Sequence, residues 1–92
     1  MSDIHDRAGV EDVLWRALKE LGEVLSERAL GDLAILIRVG EHLVAYEIIA
    51  TQVYEFSVPL DAELVADLRV TGAALSADPK YAEWIAESAV EG

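Results

Sequence analysis

The spacing of apolar residues near the start of the chain is the strongest constraint on its fold. Between Val10 and Leu25, apolar residues recur at steps of three and four. An α-helix turns once in about 3.6 residues, so this spacing aligns them along one side of a helix. The stripe consists of Val10, Val13, Leu14, Ala17, Leu18, Leu21, Val24 and Leu25. We therefore predict an amphipathic first helix that buries this side.

Capping residues and glycine divide the next part of the chain. Ser26 can cap a second helix that runs to about Val39, because a serine side chain accepts a hydrogen bond from a free backbone N–H of the first turn. Gly40 can end that helix in the left-handed conformation that glycine tolerates. A third helix is predicted from about Glu41 to Phe56.

The two prolines mark the remaining boundaries. Val58-Pro59-Leu60 reads as a connector, since proline lacks a backbone N–H, and Asp61 is the predicted cap of a fourth helix. Gly72 weakens the prediction for the last turns of that helix. Asp78-Pro79 is a strong start signal for a short fifth helix, which carries Trp84 as a predicted core residue. The predicted fold class is all-α, a compact bundle of about five helices.

Residues 34–58 support a second interpretation. They are rich in Val, Ile, Thr, Tyr and Phe, and Gly40-Glu41 is compatible with a turn between two strands. Propensity alone leaves helix and hairpin nearly even there. The alternative fold is therefore α+β, with a hairpin in residues 34–58.

Composition and charge limit the class of protein. The chain has 92 residues, a length that accommodates one domain, predicted as residues 10–90 after a flexible acidic tail at residues 1–9. It has 18 acidic and 7 basic residues, for a net charge of -11. Such a charge opposes direct binding to nucleic acid or to anionic membranes and favours a basic protein partner. The absence of cysteine and of an apolar signal segment suits a cytoplasmic protein.

A series of residues from the second helix to the fifth resembles a known family. The series is Leu33, Ile37, Gly40-Glu41, Ala45, Glu47, Tyr54-Glu55, Val58-Pro59-Leu60, Leu64, Asp78-Pro79 and Trp84. In these residues the chain resembles the MafI family of immunity proteins from bacterial polymorphic-toxin systems. The resemblance implies a small, mainly helical cytoplasmic protein that binds a cognate toxin domain and neutralises it. Toxins of such systems are often nucleases. The resemblance also favours helix over hairpin for residues 41–56.

Projected on a helix, residues 41–56 have two different sides. Glu47, Thr51 and Glu55 fall together on a polar side. The opposite side is predicted to be core and contains Leu43, Ala45, Tyr46, Ile49, Ala50, Val53 and Phe56.

Val44 and Ile48 fall among the polar residues of this helix. They either contact another helix of the domain or form an exposed apolar pair ringed by carboxylates, as in a patch that docks a basic partner. Tyr54 suits a binding surface and a core margin equally well. Both questions stay open at the level of sequence.

The acidic residues suggest where a partner would bind. No lysine or arginine lies between Arg38 and Arg69, whereas six carboxylates do. These six are Glu41, Glu47, Glu55, Asp61, Glu63 and Asp67. If the third and fourth helices lie side by side, they form one negative field that speeds encounter with a positive domain. The predicted partner-binding residues are Glu41, Val44, Glu47, Ile48, Thr51, Tyr54, Glu55, Asp61 and Glu63.

The sequence offers no constellation for catalysis, and no cofactor or metal site is predicted. His5 and His42 have no partner at metal-ligand spacing and are interpreted as solvated or locally bonded. Trp15, off the stripe of the first helix, is expected to stack with Lys19. The predicted function is that of an immunity protein, not an enzyme. The alternative is an acidic inhibitor or adaptor that mimics nucleic acid and binds a nucleic-acid-binding protein.

Overall fold

The computed structural model describes residues 7–89, and within that range the chain is a bundle of five α-helices. The helices are α1 (Arg7–Glu20), α2 (Glu27–Arg38), α3 (His42–Phe56), α4 (Ala62–Ala74) and α5 (Pro79–Glu87), with a 3₁₀ turn at Leu21–Glu23 after α1. The all-α prediction is confirmed. The last three residues of the predicted tail, 7–9, belong to α1, and the rest of that tail lies outside the described residues.

Three of the helices begin at the predicted caps. The Ser26 hydroxyl accepts from the backbone N–H of Ala29, and the Asp61 carboxylate accepts from that of Leu64. Asp78 accepts from the N–H of Lys80, with Pro79 at the first helical position. Each bond satisfies a donor of the first turn that has no partner inside the helix.

The middle of the chain is helical, and the alternative hairpin in residues 34–58 is wrong. Gly40 has φ 86°, so it ends α2 in a conformation that glycine adopts at little cost and allows α3 to start two residues later. α3 is helical although it contains β-prone residues, because five of its residues lie on one buried side. These are Ala45, Tyr46, Ile49, Ala50 and Val53. Tertiary burial therefore overrides the strand propensity of the segment.

α1 and α3 each pack against three other helices of the bundle. α1 packs against α2, α3 and α4, while α5 packs on α3 and α4 from another side. One apolar core results, and it contains the α1 stripe from Val10 to Leu21, Leu33 and Ile37 of α2, the buried side of α3, Leu64, Val65 and Leu68 of α4 and Ile85 of α5. The chain after α3 is tied to the end of α5, since the N–H of Leu60 donates to the carbonyl of Ser88 at 2.9 Å.

Three residues predicted for the core are exposed instead. Val24 is 40% exposed, Leu43 38% and Phe56 51%. All three lie at the ends of elements: Val24 follows the 3₁₀ turn, Leu43 is in the first turn of α3 and Phe56 is its last residue. At the end of an element, the apolar spacing can continue although no neighbouring helix covers those residues. Periodicity alone therefore placed these three residues in the core incorrectly.

Gly72 supports close packing rather than weakening α4. It is buried in the interior of that helix, and a Cβ added there would lie 2.6 Å from Cζ of Tyr46. The phenol ring of Tyr46, itself fully buried, therefore fits only because position 72 has no side chain. No helix within the described part of the chain is long and apolar enough to cross a membrane.

Candidate partner-binding surface on helix α3

The outward side of α3 carries most of the predicted partner-binding residues. We call this surface the α3 ridge; it consists of Glu41 at the start of the helix and Val44, Glu47, Ile48, Thr51, Tyr54 and Glu55 along it. Val44 is 40% exposed and Tyr54 46%, and Glu41 and Glu55 are also exposed. Glu47, Ile48 and Thr51 are half-buried. The structure thus brings these seven residues onto one side of one helix, as predicted.

Val44 and Ile48 differ in their exposure to solvent, although they are one turn apart in α3. Val44 is exposed to solvent. Ile48 packs against the core and lines a cleft of about 200 Å³ between α2 and α3, together with Leu33, Leu36 and Gln52. Ile48 therefore contacts another helix of the domain, and Val44 alone is exposed, so the two residues do not form an exposed pair.

The Thr51 hydroxyl already has a hydrogen-bond partner inside the helix. It donates to the backbone carbonyl of Glu47 at 2.8 Å, one turn earlier. A serine or threonine hydroxyl commonly bonds back to the helix in this way. Because this bond uses the hydroxyl hydrogen, Thr51 can only accept a hydrogen bond from a partner protein.

Tyr54 belongs to an aromatic cluster where α3 meets α5. Its ring stacks on Trp84 with centroids 4.7 Å apart and planes inclined by 17°. Trp84 in turn meets the edge of Tyr81, and the Lys80 ammonium lies 5.7 Å from the Trp84 ring centre. Trp84 is half-buried in this cluster, so its prediction as a core residue is wrong. The stack holds Tyr54 in place at the margin of the ridge while leaving nearly half of it exposed.

The predicted single field of six carboxylates does not form. α3 packs on α1, α2 and α5, and α4 packs on α1 and α5, whereas α3 and α4 have little contact with each other. Asp67 faces α1, where its Oδ2 lies 2.7 Å from the Arg16 guanidinium. This hydrogen bond is the main reason that the pKa of Arg16 is raised. Glu63 is exposed near the same arginine, and Asp61 serves as the α4 cap.

Asp61 and Glu63 therefore lie apart from the ridge, on the side of α4. The carboxylates that remain on the α3 ridge are Glu41, Glu47 and Glu55. Within residues 7–89, none of these three forms an ion pair with a basic side chain.

His42 makes a contact between helices instead of a local one. Its Nε2 lies 3.2 Å from a carboxylate oxygen of Glu11 on α1, and its side chain is 10% exposed. Across residues 7–89, no three His, Asp or Glu side chains are grouped to hold a metal ion. His5 lies outside the described residues.

Trp15 is also contacted by a different cation from the one predicted. The Arg38 guanidinium of α2 lies 5.7 Å from the Trp15 ring centre. The predicted partner was Lys19, one turn further along α1. The contact links α1 to α2, so it stabilises helix packing where a local stack would not.

Sequence reasoning missed an apolar pair on α2. Ile35 is 55% exposed and Val39 62%, and they are one turn apart on the side of α2 that carries Arg28 and Asp32. Their position on the polar side of α2 was available from the helical projection. The signal was obscured because residues 33–39 are almost continuously apolar.

Comparisons of the chain with models of known protein families, with curated protein sequences and with solved structures found no match. We therefore infer the function from the α3 ridge.

Proposed function

We propose that this chain is an immunity protein, which binds a cognate toxin domain in the cytoplasm and neutralises it by occupying its surface. The observation that carries the proposal is the α3 ridge, where exposed apolar and aromatic residues lie among carboxylates that form no ion pair within residues 7–89. Binding, not catalysis, is the activity that such a surface supports.

The composition of the ridge is typical of a binding surface. Interfaces combine an apolar or aromatic centre with a polar rim, and tyrosine is enriched at their energetic centres. Val44 and Tyr54 supply exposed apolar area, and Glu47 and Glu55 lie beside them. Tyr54 is also held by Trp84, so little conformational entropy remains to be lost when a partner covers it.

The charge of the chain indicates the sign of the partner. A net charge of -11 attracts a basic domain over distances longer than a contact, and the absence of lysine and arginine between Arg38 and Arg69 directs that attraction to the ridge. A basic toxin domain, such as a nuclease, is a partner of this kind. The resemblance to MafI immunity proteins supports the same class of partner.

The test uses the toxin domain encoded immediately upstream of this gene. Titration calorimetry and stopped-flow mixing with the purified domain should show binding whose association rate falls as salt is raised. Co-expression should protect cells from that toxin. An unrelated basic domain of equal net charge is the control, because charge alone should give only weak binding. Failure to bind the upstream domain at low salt would contradict the proposal.

A competition experiment separates this proposal from nucleic-acid mimicry. If the chain instead imitates nucleic acid, it should bind nucleic-acid-binding host proteins and be displaced from them by DNA or RNA. If the upstream toxin domain is not a nuclease, we expect DNA and RNA not to displace the chain from that domain. Displacement from several unrelated nucleic-acid-binding proteins would favour the mimic.

A further inference from the structure

We infer that the surface formed jointly by α2 and α3 receives a single amphipathic helix of the basic partner, with an apolar side chain of that helix inserted in the cleft beside Ile48. This inference rests on the proposed function and extends it, since it adds α2 to the interface and specifies the kind of element that docks. We call the surface the α2–α3 groove; it consists of Ile35, Leu36 and Val39 of α2 and Val44, Ile48 and Gln52 of α3.

The first argument is the alignment of apolar residues along two adjacent helices. Ile35 and Val39 are one turn apart on α2, and Val44 and Ile48 are one turn apart on α3. The two helices pack together and are joined by the sharp turn at Gly40, so they run in opposite directions. A trough between two such helices matches the apolar face of a third helix, whose anchors recur at three- and four-residue steps.

A cleft between α2 and α3 shares Leu36, Ile48 and Gln52 with the groove and extends it towards the start of α2. Its walls are mainly apolar, with Leu25, Ala29, Leu33, Leu36 and Ile48, and its volume is about 200 Å³. A leucine- or phenylalanine-sized side chain can enter such a cleft. Asp32 and Gln52 are the polar residues that border it. The cleft thus offers an apolar pocket with a carboxylate at its edge.

The charged residues around the α2–α3 groove indicate the kind of partner that binds there. Asp32 lines the cleft, and Glu41 and Glu55 are exposed at the start of α3 and near its end. The exposed basic residues of α2 are Arg28 and Arg38, and Arg38 lies over Trp15 of α1. A helix that carries lysine or arginine beside its apolar anchors would complement these carboxylates. A second copy of this chain would bring the same carboxylates, and each copy carries a net charge of -11, so like charges oppose self-association there.

Substitution of the α2 residues tests the groove against the full upstream toxin domain. Val39→Ser and Ile35→Ser should each weaken binding by about tenfold, mostly through faster dissociation. Val70→Ser is the matched control, because Val70 is a valine on α4 that is 41% exposed. Val24→Ser is a second control, because Val24 is 40% exposed. Both controls should change the Kd by less than about twofold. Tight binding that Val39→Ser and Ile35→Ser leave unchanged would overturn the groove while the proposed function stands.

A probe that does not depend on the toxin keeps the inference testable if the upstream domain fails to bind. An 18-residue synthetic helix of leucine and lysine, with leucines at three- and four-residue steps, is titrated into the labelled chain. A scrambled peptide of the same composition is the control. Amide chemical shifts of Leu36, Ile48 and Gln52 should move with the amphipathic peptide and not with the scrambled one. Shifts confined to α1 and α4, or equal effects of both peptides, would contradict the inference.

Sedimentation equilibrium of the chain alone tests the competing occupant. We expect a monomer. A dimer that Val39→Ser dissociates and Val70→Ser preserves would assign the groove to a second copy and overturn the inference.

Discussion

Both sides of helix α3 carry apolar residues, but these residues have different surroundings on the two sides. The inner side, centred on Tyr46, is fully buried against the core and fits so closely that position 72 of α4 must be glycine. The outer side exposes Val44 and Tyr54 and leaves Ile48 in an open cleft. The inner side is fully explained by folding. The outer side is not, because apolar residues that stay in water add nothing to the stability of the fold.

This difference separates residues that determine stability from residues that determine binding. Substitutions on the inner side and in the core should reduce the free energy of unfolding, with no specific effect on recognition. Substitutions on the outer side should leave the fold intact and change affinity. Each prediction below tests one side of that division.

The largest expected effect is a cavity in the core. Leu68→Ala removes a fully buried side chain of α4 and should lower the free energy of unfolding by about 3 kcal/mol. Leu14→Ala should act similarly, since Leu14 is equally buried on α1. Chemical denaturation measures the loss, and Val44→Ala on the outer side is the comparison, with an expected change under about 0.5 kcal/mol. Equal losses for Leu68→Ala and Val44→Ala would abolish the distinction between the two sides.

The next effect is on binding and concerns the ridge carboxylates. Glu47→Lys combined with Glu55→Lys should weaken the toxin complex by about a hundredfold, equivalent to about 2.7 kcal/mol, because charge reversal opposes both encounter and docking. The melting temperature should change little. Glu20→Lys with Glu83→Lys is the control, since both are exposed on other helices and the change in net charge is the same. An equal loss in the control would mean that net charge, and not the ridge, determines affinity.

Much of the fold could be predicted because its signals are local. Ser26, Asp61 and Asp78 cap helices through bonds to residues two or three positions away, and Gly40 acts through its own backbone. The inner side of α3 follows from helical spacing within one segment. Such features can be predicted without knowing how the helices pack together.

The candidate site was predicted only where it lies on one helix. The ridge from Glu41 to Glu55 is a property of α3 alone, so projection was sufficient. Asp61 and Glu63 were assigned to the same surface on the condition that α3 and α4 lie side by side, and these two helices have little contact with each other. The stacking of Trp84 on Tyr54 and the contribution of α2 also depend on which helices meet, which spacing within a segment does not encode.

Gly72 of α4 and Gly31 of α2 together test the close fit on the inner side. Gly72→Ala should lower the free energy of unfolding by about 2 kcal/mol, because the added methyl group overlaps the Tyr46 ring and the core must shift. Gly31→Ala on α2 is the matched control. Nothing lies within 4 Å of a Cβ added there, so alanine should stabilise the helix by up to about 1 kcal/mol. Opposite signs are expected in denaturation experiments. A stabilising Gly72→Ala would show that Tyr46 is packed less closely than the structure indicates.

The smallest effect concerns the hydroxyl of Tyr46. Within residues 7–89 this buried hydroxyl has no hydrogen-bond partner, and burial raises its pKa to about 12 from 10.0. Tyr46→Phe should therefore raise the free energy of unfolding by about 1 kcal/mol at pH 7, since it removes a desolvated polar group.

The pH dependence of this effect distinguishes the hydroxyl from other causes. A folded-state pKa above the unfolded value means that the contribution of Tyr46 to stability is fully present below pH 10 and is lost as the pH rises towards 12. Phenylalanine cannot ionise, so the advantage of Tyr46→Phe should grow by about 1 kcal/mol between pH 7 and pH 11. Tyr54→Phe on the outer side is the control and should show no comparable gain, because its ring is 46% exposed. A Tyr46→Phe variant that is less stable than the parent at pH 7 would indicate that the hydroxyl is hydrogen-bonded in solution, and the inner side of α3 would then include a polar contact as well as close packing.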